Sequence, residues 1–340
     1  MGRAGRSLRR VDLPRERRVV LRHRPEHPRE RRADGVLNAA SANGRFTIVG
    51  LGEAVFDLFP DKVVLGGTSL NLSVHAQQLL APHGGRGVLL SRIGTDDLGR
   101  QLLSEFKSRR LPVDNIQLDH DKPTGRVLVQ FRDGEPHYEI VRDVAWDALA
   151  FSQAEQTLAA NCHAICFGTL SQRDPRSRAS IRTILRAAPQ AVRLFDVNLR
   201  QDFFDAEIIS ESCALATVVK LNEAELPVVA KLLALPNGEP AAQMETLRAR
   251  FNLRAAVLTR GERGTAWFDA SGTIEADVPR FEPALGADSV GAGDACSAGL
   301  LVGLLRHQTP REVVALANRL GAYVASQPGA TPVLPAGLGD

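Results

Sequence analysis

The chain has 340 residues, 44% hydrophobic and 5% aromatic, with a net charge of +3. That length holds one large α/β domain with an appendage or two ordinary domains, and the aliphatic composition is that of a globular protein. Twelve arginines against five acids give residues 1–40 a balance of +7, leaving −4 on the remaining 300 residues. The basic character therefore belongs to the leader, and the body gives no reason to expect a nucleic-acid partner.

The leader, residues 1–44, is rich in Arg and Pro, lacks aromatics and shows no apolar period, so it is predicted to be disordered and to take no part in catalysis. No apolar segment of signal-peptide length follows its arginines, and its acids disfavour a transit peptide. Cys162, Cys166, Cys213 and Cys296 form no C-x-x-C pair and read as reduced, mostly buried thiols of a cytoplasmic protein. The apolar run Ala295–Leu305 is too short to span a bilayer, so no membrane role is expected.

From Phe46 onward the predicted elements alternate. Buried strands are expected at Phe46–Gly50, Gly87–Ile93, Ala164–Phe167, Val192–Phe195, Thr217–Val219 and Ala255–Thr259. Helices are expected at Leu70–Leu80, Leu98–Arg109, Arg176–Ala187, Glu223–Leu233, Pro240–Phe251 and Ala295–Leu305. This alternation predicts an α/β fold, a mostly parallel sheet sandwiched by helices. Val55–Leu65, and Gly125–Val141 with its Arg132-Asp133-Gly134 turn, read as strands with no helix between them. They form either a small β-sheet lid, about 55–65 and 117–143, or edge strands of the main sheet.

Ligands of open α/β sheets bind beyond the carboxyl ends of the strands. The polar residues predicted there are Glu53, Asp57, Asp196, Asn198, Arg200, Asn222, Glu225, Thr259, Gly261 and Gly264. Gly50-Leu51-Gly52 lacks the third glycine of a dinucleotide fingerprint, since position 55 is Val, and no P-loop Gly-Lys-Ser/Thr occurs. A bound phosphate must then sit elsewhere. Gly291-Ala292-Gly293 offers three unobstructed backbone N–H groups where a helix begins, and the dipole there favours an anion. Asp294 follows in the first turn, placed to take a proton from a hydroxyl attacking that phosphate; a glycine-rich turn with a dipole-favouring Asp is the plainer alternative. Gly66-Gly67-Thr68-Ser69-Leu70-Asn71 is a second glycine turn entering a helix. There the backbone can approach a polyol, and Asn71 offers both donor and acceptor. Asp57 reads as a carboxylate for sugar hydroxyls or as a solvated loop residue.

In this order the motifs resemble the ribokinase-like (PfkB) family of carbohydrate kinases. Asp288–Asp294 resembles the family's D-[ST]-[TV]-G-A-G-D, Gly66–Asn71 its Gly-Gly-x-x-x-Asn, and Arg92–Gly99 its G-x-D-x-x-G stretch. Asn222-Glu223-Ala224-Glu225 resembles N-x-x-E, Thr259–Gly264 the T-x-G-x-x-G loop, and Asn318 a polar residue near adenine. The resemblance covers Phe46 to about Pro332, within a kinase domain drawn at 45–335. It implies ATP and Mg²⁺ as cofactors, Glu225 holding Mg²⁺ through water, and Asp288 beside a monovalent cation such as K⁺. It implies Asp294 as base, Gly291–Gly293 as anion cradle, and Arg200 near phosphate or substrate. Asp57, Gly66, Gly67 and Asn71 would hold the sugar, and Asn222, Glu225, Thr259, Gly261, Gly264 and Asn318 the ATP.

Thr68, where ribokinases carry Lys, and the opening Gly50-Leu51-Gly52-Glu53 followed by Asp57 resemble fructokinases. The expected activity is an ATP-dependent, fructokinase-like sugar kinase. A 2-keto-3-deoxygluconate, ribose or nucleoside kinase is the alternative within the family, and a sugar-sensing inactive relative is the alternative outside enzymes. A small-molecule sugar and ATP are the expected partners, with a homodimer as the assembly considered.

Overall fold

The structure, a computed structural model, describes residues 45–132 and 135–340. Its main sheet has nine strands. These are β1 (Thr47–Leu51), β4 (Arg86–Gly94), β5 (Ile116–Asp119), β8 (Ala164–Phe167), β9 (Val192–Asp196), β10 (Val218–Asn222), β11 (Ala255–Thr259), β12 (Thr265–Asp269) and β13 (Gly272–Glu275). Their spatial order is β13-β12-β11-β10-β9-β8-β1-β4-β5. All neighbours from β11 to β5 pair in parallel, and β12 and β13 add an antiparallel edge. The parallel strands read as near-continuous apolar runs because helices cover both faces. One face packs against α3 (Gln153–Asn161), α4 (Pro175–Arg186), α5 (Ala206–Leu215), α6 (Leu226–Leu232) and α7 (Pro240–Arg250). The other packs against α1 (Thr68–Leu80), α8 (Ala292–Leu305) and α9 (Pro310–Ala325), and α2 (Asp97–Ser108) packs with α1 near β4. Helix α8 is buried on every side from Ala295 to Leu305, which is why its sequence shows no polar stripe.

The segments predicted to break the rhythm form a separate four-stranded sheet. Its strands β2 (Val55–Leu58), β3 (Val63–Gly66), β6 (Gly125–Arg132) and β7 (Glu135–Ile140) run in the order β3-β2-β6-β7. The predicted Asp133-Gly134 turn lies outside the described residues, but the strands flanking it pair antiparallel as far as Arg132↔Glu135. One predicted boundary is corrected. Ile116–Asp119 pairs with β4 in the main sheet, so the second segment of the small sheet begins at Gly125 rather than near 117. Asp96, in the predicted G-x-D-x-x-G stretch, caps α2 through Gly99 N and accepts Thr124 N, both at 3.0 Å, tying this turn to the base of the small sheet.

The predicted strands fall within a few residues of the observed ones, and the ribokinase-like α/β architecture is borne out. Three helices lie outside the predicted set, α3, α5 and α9. Ser152-x-x-Glu155 and Thr309-Pro310-x-Glu312 are capping boxes that announce two of them. The helix expected from Glu223 starts only at Leu226. Asn222 Oδ1 accepts the Ala224 and Glu225 N–H groups and holds a turn there instead. All four cysteines are free and buried, and no described helix is long and apolar enough to cross a membrane.

Candidate active site

The parallel strands deliver their polar ends to one edge of the sheet, and the N-terminus of α8 rises against it. Gly291 caps α8 with φ 78°, a left-handed conformation that favours glycine, and a methyl group at its Cα would overlap the Ala330 carbonyl. Gly291 and Gly293 put no side chain in front of the first turn of α8, whereas the Ala292 N–H, expected to be free, donates to the Ser289 carbonyl at 3.2 Å. Asp294, one residue past this cradle, accepts a hydrogen bond from Asn71 Nδ2 at 2.8 Å, joining residues 223 positions apart. The Gly66-Gly67 turn and the α8 turn thus meet at one carboxylate.

Beneath Asp294 lies a buried network that the sequence reading did not assign. Lys220 Nζ donates to Asp196 Oδ2 at 2.8 Å, and Ser297 Oγ donates to the same oxygen at 2.8 Å. Lys220 lies under the cradle, 3.7 Å from where a Cβ on Gly293 would sit. Burial pushes the Asp294 carboxyl up to about 7 and the negative charge of Asp196 adds to this, while Asn71, Lys220 and Arg200 oppose it. Lys220 is the one charged residue in the otherwise apolar run Val218–Leu221, and that was the legible signal. Nothing local distinguished Ser297 from an ordinary helix serine.

A general base must be unprotonated to work, so its activity is lost as pH falls through its pKa. We expect kcat/KM of the free enzyme to rise tenfold per pH unit below about 7 and to level off above it. Initial rates at fixed free ATP from pH 5 to 9 check this, and a flat profile would remove the perturbed carboxyl from the rate law.

The paired-glycine turn is held from two sides. Thr68 N donates to Glu53 Oε1 at 3.2 Å, and Asn198 Nδ2 donates to Thr68 Oγ1. Glu53 is buried, and burial raises its pKa. Asp57 shares a face of β2 with Val55, beside Gly66, and burial raises its carboxyl too. Arg200 is exposed, and its only side-chain hydrogen bond among the described residues is to its own Leu199 carbonyl, 3.0 Å. Its charge acts on Glu53, Asp57 and Asp294 together.

On the other side of the cradle, Asn222 and Thr259 are register partners on adjacent strands. Glu225 accepts Asn222 N at 2.8 Å on one carboxylate oxygen and Leu199 N at 2.9 Å on the other. With both oxygens so engaged it fits a cation met through water better than a direct ligand. Gly261, with φ 59°, leaves open space where a side chain would stand. Gly264 is packed against Val278 and Asn318 instead. Asn318 donates to the Ala276 carbonyl at 2.9 Å, and its Oδ1 is buried without a partner among the described residues. Asp288 accepts Val290 N at 2.9 Å and Gly329 N at 3.2 Å, clasping the Gly329-Ala330 turn to the cradle loop.

A carboxyl with a raised pKa beside a glycine-capped helix N-terminus, at the carboxyl edge of a parallel sheet, is an arrangement compatible with phosphoryl transfer. The pfkB family carbohydrate kinase profile matches residues 58–337. The chain belongs to the pfkB family of carbohydrate kinases. This kinase is 29% identical over 317 residues to a fructokinase of Klebsiella pneumoniae, covering 86% of this chain and 97% of that one. Among solved structures, the aminoimidazole riboside kinase of Salmonella enterica, complexed with aminoimidazole riboside and an ATP analog, superposes with TM-score 0.69 at 25% identity. That match covers 86% of this kinase and 97% of the other chain. A fructokinase of Xylella fastidiosa with bound ATP shares the fold at TM-score 0.73 and 23% identity, over 85% and 95% of the two chains.

Proposed function

We propose that this kinase transfers the γ-phosphoryl group of ATP to the hydroxymethyl group of a neutral keto-hexose, as a fructokinase does. The observation that carries the reading is the Asn71–Asp294 hydrogen bond, which sets a polyol-binding amide and a base with a raised pKa beside one anion cradle. Asp294 takes the proton of the attacking hydroxyl. The N–H groups of Gly291 and Gly293, and that of Ala292 once it is shared with or released from the Ser289 carbonyl, hold the charge that spreads over the transferred phosphoryl oxygens, with Lys220 behind them. Asn222, Glu225, Thr259, Gly261, Gly264 and Asn318 form the nucleotide side. Glu225 would hold Mg²⁺ through water, and the ion would supply neutralisation of the phosphate charge. A monovalent cation near Asp288 would have only the lone pairs left by Val290 N and Gly329 N. The small sheet serves as lid. The leader expected at residues 1–44 lies outside the described residues, and the buried free thiols fit a cytoplasmic enzyme.

The charge around the acceptor argues for a neutral sugar. Among the described residues, the exposed Arg200 is the one cation whose charge acts on Glu53, Asp57 and Asp294 alike, while Arg173 is already taken by Asp147 at 2.8 Å. A keto-aldonate would add another carboxylate to this group. Removing a buried hydrogen-bond partner costs roughly 1–3 kcal/mol, so Asp57→Ala should raise the sugar KM about tenfold or more and leave the ATP KM nearly unchanged. Coupled ADP release over a panel of fructose, ribose, 2-keto-3-deoxygluconate and nucleosides tests the class. Turnover with nucleosides alone, in keeping with the riboside kinase likeness, would overturn the keto-hexose assignment. A rise in ATP KM alone for Asp57→Ala would overturn the placement of the sugar.

A further inference from the structure

Helix α1 carries a line of contacts along one face. Asn71, His75 and Gln78 are spaced four and three residues apart and therefore lie one above another. Asn71 holds Asp294. His75 Nε2 lies 3.0 Å from the Ala330 carbonyl, and Gln78 bonds Pro332 O and Leu334 N at 3.1 and 2.8 Å. His75 is fully buried, and its Nδ1 has no partner among the described residues. Burial pushes the imidazole down to about 4, so the ring is neutral at working pH. Facing a carbonyl, Nε2 must then carry the proton and donate it.

The Ala330 carbonyl is gripped from two directions. His75 holds it from α1, and Gly291 lies so close on its other side that even a methyl group there would overlap it. Gly291 is the cap residue from which the cradle N–H groups project. Asp288 holds the neighbouring Gly329 N–H, which secures the loop along its length but leaves the Ala330 carbonyl direction open.

We propose that His75 is a positioning residue of the phosphoryl cradle, its hydrogen bond to the Ala330 carbonyl setting the seat on which Gly291 rests. This rests on the reading of Gly291–Gly293 as the cradle. Helix α1 thereby sets the base through Asn71 and the cradle through His75, one turn apart, so that the acceptor hydroxyl and the phosphoryl group are aligned by a single rigid element.

The test compares His75→Leu, which fills the space without a donor, with His75→Gln, whose amide reaches toward the Nε2 position. A displacement of the cradle by a fraction of an ångström to about 1 Å costs roughly tenfold to a hundredfold in turnover. His75→Leu is therefore expected to lower kcat by about tenfold or more with the sugar KM within about twofold of wild type. His75→Gln is expected to restore most of kcat even if its melting temperature stays as low as that of the Leu variant. Wild-type kcat in His75→Leu, or loss of kcat in step with melting temperature in both variants, would overturn the role. Should His75→Leu not fold, His75→Asn, too short to reach Ala330, takes its place with the same expectations. Asp294→Asn assayed alongside separates the two readings. If it keeps wild-type turnover the reading of this site as the place of phosphoryl transfer falls, and with it the premise of the proposal, whereas an inactive Asp294→Asn beside a fully active His75→Leu overturns only the part given to His75.

Discussion

Asp294→Asn is expected to lower kcat by something on the order of 10²–10⁴ while ATP binding survives, because the amide keeps the shape and loses the basicity. The same variant should be at least as stable as wild type. The folded-state pKa of Asp294 is raised to about 7, above its unfolded value, so its carboxyl contributes stability only while protonated. That contribution fades as pH rises from about 4 and is gone above about 7, where a charged group sits near Asp196 with only partial compensation from Asn71, Lys220 and Arg200. Asparagine carries no such charge. Melting curves at pH 5 and pH 8 should therefore show the variant gaining on wild type at the higher pH, together with the collapse in turnover. Wild-type turnover would remove Asp294 from the chemistry, and a large loss of stability at pH 8 would mean that its main role is structural.

The second large effect is expected at Gly291. Alanine there must adopt φ near 78°, costing roughly 1–2 kcal/mol for a residue with a Cβ, and its methyl group must also displace the Ala330 carbonyl. Turnover should fall by about a hundredfold or more as the cradle shifts. Gly286→Ala isolates the packing effect, since Gly286 has the same φ of 78° but open space where a methyl group would stand. It should lose melting temperature through the strain alone, less than Gly291→Ala does, and keep most of its kcat. Equal kinetic losses in the two variants would show that backbone strain, rather than the seat on Ala330, governs the cradle.

Much of the fold was legible because its information is local. Parallel strands buried on both faces read as short apolar runs, so Ala164–Phe167 and Ala255–Thr259 are observed with the predicted boundaries. The glycines at 66, 67, 291 and 293 stand where a chain must turn tightly into a helix. Helix α9 is absent from the predicted set although Thr309-Pro310-x-Glu312 announces its start and its apolar residues follow a helical period. The lid boundary drawn near 117 runs through Ile116–Asp119, which pairs with β4 instead, because pairing partners are chosen in space and four residues carry too little pattern to name theirs.

The sequence by itself determined most of the strands, the glycines at the start of α8 and the acid that follows them, since each depends on residues adjacent in the chain. Only the tertiary structure decided which of these meet. The order β10-β9-β8-β1-β4 and the packing of α1 on α8 bring Asn71 to Asp294, Lys220 to Asp196 and His75 to Ala330, across separations of 223, 24 and 255 residues. It also decided the proton affinity of Asp294. An aspartate in the sequence has the ordinary value of its kind, and its rise to about 7 comes from the water excluded and the charge brought near when distant segments close around it.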